Sequence, residues 1–248
     1  MRKITRIKNL FVCISLLMFT NSYSQSIANY KDISRKDSVR LTLEIQNKSF
    51  IFDENGGDID SSIYFAELAL TSWITLRDTI NEANNRKYLG YLYGKKGYYE
   101  KGKSEIFKAI SLFSLKSYEA GVAVSNFDLS KVYGYEKRYD SALLYIDKAL
   151  NYWQQKADTF RVLTNSNQKL YLLIQTKNYN DAKTLQHKSE KLLVKKKLHW
   201  RPVVDYYYLS MELYNDIKDS RAEKLYRELY YKKINELKAQ NVKYRKGY

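Results

Sequence analysis

Four groupings in this 248-residue chain have residue types that could do chemistry. Gly90, Gly94, Lys95 and Gly97 match the glycines and lysine of a phosphate-cradling loop only in outline. That loop needs four residues between its glycines and a Ser or Thr after its Lys, whereas here the gap is shorter and Lys96 follows. The stretch from Asp53 to Asp60 gathers carboxylates as a hard cation would want, but a calcium loop starting at Asp53 would place Asp58 and Tyr64 where Gly and Glu are required. Asp, Asn and Gly in such density read instead as a turn. His187 and His199 have no Ser, Cys or carboxylate at a spacing that would make either a general base. Cys13 is the only cysteine, so neither a disulfide framework nor a thiolate metal cage is available. The expectation is a protein without catalytic residues, cofactor or metal.

The elements that would carry other functions begin with an address. Arg2, Lys3, Arg6 and Lys8 precede an apolar run from Leu10 to Phe19, and Ser22-Tyr23-Ser24 supplies a small-x-small cleavage triplet. This is the pattern of a secretory signal peptide over 1–24, too short in its apolar part for a spanning helix. Cys13 sits inside that core, so the mature chain is expected to be cysteine-free, exported, and either periplasmic or secreted. Cleavage removes four positive charges from a formal +16, and the remaining excess gathers towards the C-terminus at Lys195-Lys196-Lys197, Lys232, Lys233, Lys238, Lys243, Arg245 and Lys246. In an exported protein that excess points to acidic partners rather than to nucleic acid.

From residue 39 onward the sequence repeats. Leu89-Gly90, Tyr93, Gly97, Tyr99, Gly102, Ile106 and Ala109 have counterparts forty residues on in Leu129-Ser130, Tyr133, Tyr139, Ala142, Ile146 and Ala149. Further steps give Leu173, Tyr179, Ala182 and Ser189, then Leu213, Ala222 and Leu229, and backwards Ile59, Ser62, Ala66 and Ala69. One column, Ser62, Gly102, Ala142, Ala182 and Ala222, is always small, which lets two helix axes approach closely. Apolar residues within each unit recur at helical spacing, as in Ala142, Tyr145, Ile146 and Ala149. A single hairpin of this kind cannot bury its face alone, so neighbours must stack. Gly57 and Gly97 are expected at turns, and Pro202 in the first turn of a helix.

This order of Leu-Gly, Tyr, Gly, Tyr, Ala, aromatic and Ala resembles the tetratricopeptide repeat (TPR), in a longer variety with helices extended by roughly 9 Å per unit. The resemblance implies an all-α fold: a right-handed solenoid of about five antiparallel helix hairpins over 39–237, after a lead-in at 25–38 and before a basic tail at 238–248.

In that family the first helix of each hairpin lines a concave face. Carried over, the face comprises Asn47, Lys87, Tyr91, Lys95, Phe127, Lys131, Tyr135, Asn167, Tyr171, Gln175, Tyr207, Met211 and Tyr214. Aromatics give contact area at low entropic cost, while lysines and amides can bond a peptide backbone or carboxylate. Tyr91 follows Lys87 where a chaperone-gripping relative would have Asn, so a different grip is expected. The resemblance thus implies a non-catalytic scaffold holding a protein or peptide partner, acidic in character. The alternative is the periplasmic sensor region of a signalling protein (a TPR-containing histidine kinase or DNA-binding regulator) without its membrane span and output domain. The absence of an apolar segment before Tyr248 favours the scaffold.

Overall fold

A computed structural model describes residues 34–54, 58–195 and 198–240; the expected signal peptide, Gly57 and the last residues of the basic tail lie outside these. Ten α-helices and no strands occur among the described residues. They are α1 (Arg35–Glu54), α2 (Ile59–Thr75), α3 (Thr79–Lys95), α4 (Tyr99–Leu115), α5 (Glu119–Tyr135), α6 (Tyr139–Gln155), α7 (Thr159–Gln175), α8 (Tyr179–Lys195), α9 (Trp200–Asp216) and α10 (Ser220–Ala239). By compactness the chain divides within α1, after Glu44. In the first unit only 34–44 are described, where the Ser34 hydroxyl accepts from the Asp37 amide at 3.2 Å and opens the helix. The second unit, from Ile45 onward, holds the repeats.

Helices α2 to α8 each have 17 residues and follow one another through three-residue connections. The connections share one conformation. Arg77, Gly97, Ser117, Lys137, Ala157 and Lys177 recur every twenty residues with positive φ, and Lys218 closes the series. In each, the residue after the positive-φ position donates its amide to the carbonyl five residues back, as Tyr98 does to Tyr93 at 2.8 Å and Asp158 to Trp153 at 3.2 Å. Paired with the inner bond, Gly97 to Gly94 at 3.0 Å, this is a Schellman stop. Asp78, Asp158 and Asp219 then serve twice, since their carboxylates also accept from the amides of Asn81, Arg161 and Ala222 at the start of the next helix. One residue therefore ends a helix and opens the next, which fixes the register of consecutive helices.

The small column lies where the helices cross. Ser62, Gly102, Ala142 and Ala182 are buried and Ala222 is half-buried. A Cβ on Gly90 would stand 2.6 Å from the Gly102 carbonyl oxygen, and one on Gly102 would stand 2.7 Å from that of Gly90, so the α3–α4 crossing is backbone on backbone. Around these crossings Ile106, Leu129 and Val132 form one core, and Ala142, Ile146 and Leu172 the next. Trp73 and Phe113 are fully buried, each contributing about 2–3 kcal/mol of transfer free energy. Pro202 falls in the first turn of α9, opened by His199 as its cap. The first helices of successive hairpins contact one another, α3 with α5, α5 with α7 and α7 with α9, and so make the inner layer of the stack.

Candidate interaction groove

The inner face is built on four-residue steps along the first helices: 87, 91 and 95 on α3, then 127, 131 and 135 on α5. Successive steps of four stay on one side of a helix. The structure brings these six together. Lys87 Nζ meets Asp128 Oδ2 at 3.1 Å, and both side chains are mostly buried. Lys95 pairs with Asp53 of α1. The Tyr91 ring stands 6.4 Å from Tyr88 and 6.4 Å from Tyr135, and Phe50 packs on Tyr88 at 4.4 Å.

Lys131 differs from its neighbours. It is half-buried, with its ammonium 4.8 Å from the Tyr91 ring centroid and 5.8 Å from that of Phe127. It has no carboxylate partner among the described residues. Aromatic faces hold the cation without neutralising it. Burial raises the Tyr91 hydroxyl pKa far above its ordinary value, helped by Tyr135 and by the negative charge of Asp53 and Asp128, so the group is a permanent donor.

Further along, Tyr171 is half-buried, with its pKa raised by burial and then by Tyr139 and Tyr135; Gln175 is exposed at the end of α7. Tyr207 and Met211 pack partly against the cluster of Leu163, Tyr206, Tyr214 and Tyr226. Two residues of the expected face are interior. Tyr214 lies parallel to Tyr226 with centroids 5.5 Å apart, and Asn167, 1% exposed, donates to the Pro202 carbonyl at 2.8 Å. The reason for the second is local: a carbonyl in the first turn of α9 is met by the nearest amide side chain of α7. Asn47 is exposed on α1.

Asp53, Asp128, Tyr88 and Phe50 stand outside the expected face. A signal for Asp128 exists in the sequence, since it sits next to a face position one repeat beyond Lys87 with the opposite charge. The acidic stretch is parcelled out structurally: Asp53 pairs with Lys95, Asp60 with Lys96, and Asp58 caps α2. Among the described residues no group of three or more His, Cys, Asp or Glu comes together in a way that could hold a metal ion. Nor is any described helix long and apolar enough to cross a membrane.

No family model matches the sequence, and no curated protein matches it either. The fold does have solved neighbours. The chain is similar to BtubC (BKLC) from P. vanneervenii with a TM-score of 0.65 and 15% identity, covering 87% of this chain and 91% of that one. It is also similar to a Podosopora anserina chain of nearly identical TPR-like repeats, with a TM-score of 0.61, 12% identity, and 83% and 98% of the two chains covered. The apo form of RapI gives a TM-score of 0.62 at 12% identity, covering 94% of this chain and 74% of the other. The architecture is therefore an all-α helical solenoid with TPR-like neighbours.

Proposed function

We propose that this is an exported, non-catalytic scaffold whose inner face, centred on α3 and α5, holds an extended segment of an acidic protein partner. Lys131 carries the reading. An un-neutralised ammonium held between Tyr91 and Phe127 offers a charge for a carboxylate and flat surface for the chain around it. The TPR-like neighbours support an interaction role.

The variant that tests it is Lys131→Glu. Lys87→Glu or Lys95→Glu would set a new carboxylate against Asp128 or Asp53 and disturb the fold as well as the face. Panning a random linear-peptide display library against the chain recovers acidic sequences, and their affinity falls about tenfold or more in Lys131→Glu, equivalent to at least about 1.4 kcal/mol. Peptides without acidic residues, or equal affinity for both forms, contradict the reading. Export is tested separately: the mature N-terminus read by sequencing is Gln25, and retention of Met1 in the exported fraction contradicts it.

A further inference from the structure

The last hairpin has a surface that the inner face does not use. Helix α10 buries Tyr226, Tyr230 and Leu237 on one side. On the other, Arg221, Lys224, Lys232 and Lys238 fall within an arc of about 140°, at 3.6 residues per turn. All four are exposed and none is within ion-pair distance of a carboxylate among the described residues, Lys232 acting on Glu236 only from longer range. Acids on this helix are placed elsewhere, Glu223 on Arg227 and Glu236 on Lys233, which leaves Glu228 as the one acidic residue within the arc. Leu225 and Tyr231 stand among the cations at 51% and 56% exposure.

The exposed side of a helix in a repeat stack must be polar, but that need is met by either sign of charge and by no exposed Leu or Tyr. Here one sign dominates and two apolar groups remain in its midst. Lysines that reach phosphate head groups, with a tyrosine and a leucine at the level just beneath, are what an anionic bilayer surface selects. A nucleic acid would use the cations but gain nothing from Leu225. We propose that the outer face of α10 docks the protein peripherally on an anionic lipid membrane.

The full chain is sedimented with vesicles of phosphatidylglycerol and phosphatidylcholine, and with phosphatidylcholine vesicles alone. The native protein binds the anionic vesicles, more weakly as salt rises. Arg221→Glu, Lys224→Glu, Lys232→Glu and Lys238→Glu together weaken that binding at least about 50-fold, given the attraction of each basic residue to an anionic surface. The same four positions changed to Gln give a smaller loss in the same direction, which separates charge from misfolding. Leu225→Ser with Tyr231→Ser weakens binding with its salt dependence kept, and Lys131→Glu leaves it unchanged, so this test and that of the inner face fail independently. Absent vesicle binding, or equal binding by native and charge-reversed forms, overturns the proposal. Tighter binding to a short DNA duplex, lost in the charge-reversed form, overturns it in favour of nucleic acid.

Discussion

Individual residues in this molecule show where polarity has been admitted to the interior. Gln186 is fully buried, and its amide donates at 2.6 Å to the hydroxyls of both Tyr206 and Tyr226, while Tyr226 donates to Glu190 at 2.9 Å. Gln186→Leu removes a shared donor and acceptor and leaves the hydroxyls of Tyr206, Tyr214 and Tyr226 each short of a partner, so it lowers unfolding free energy by about 1–3 kcal/mol in denaturant titration. Lys103 is likewise buried between Glu136 at 2.8 Å and Glu100 at 2.6 Å; burial lowers its pKa, but the hydrogen bonds to both carboxylates outweigh this and raise it. The tyrosines give a pH dependence of definite sign. Burial raises the hydroxyl pKa of Tyr206, Tyr208, Tyr214 and Tyr230, and pushes Tyr226 up to about 12. Folded values above the unfolded value of about 10 contribute stability that is complete below that pH and lost as pH rises through the folded values. The part of the tyrosinate absorbance that comes from these five buried rings therefore rises together with the loss of helical circular dichroism, at pH above about 10. A smooth ionisation centred near 10 with helicity retained would contradict the burial of these rings.

Among the elements, the three-residue connection is the recurring device. Its positive-φ residue is Gly only at 97; elsewhere it is Arg77, Ser117, Lys137, Ala157, Lys177 or Lys218, with φ from 51° to 63°. A side chain in the left-handed region costs roughly 1–2 kcal/mol, partly offset by the greater freedom glycine has in the unfolded chain. Ala157→Gly thus raises stability by about 0.5–1 kcal/mol and Gly97→Ala lowers it by a similar amount, measured as shifts in denaturation midpoint at constant slope. The forty-residue period and the small column were legible because close helix crossing rejects side chains, as Gly90 against Gly102 shows. The connections were mostly not legible. Six of the seven hide their conformation behind residues that do not favour it, and the aspartates that close one helix and open the next look like ordinary surface acids.

For the repeat-bearing unit as a whole, stacking decides which expected face residues remain available. The face positions on α3 and α5 converge, because the four-residue step and the forty-residue step both survive there. Asn167 belongs to the column of Lys87 and Phe127 yet lies inside, since a column marks a side of a helix and not what the next hairpin covers, whereas Tyr214 stands off those columns, forty residues beyond the equally buried Ile174. Ion pairs between neighbouring hairpins, such as Lys87 with Asp128, were equally beyond a reading of single columns. The central claim is that this face binds. Amide hydrogen exchange of the full chain, with and without a peptide recovered by panning, tests it most directly. Binding at the inner face slows exchange in α3 and α5 and leaves the rate in α10 unchanged. Slowing confined to α10, or spread evenly over all hairpins, would contradict it.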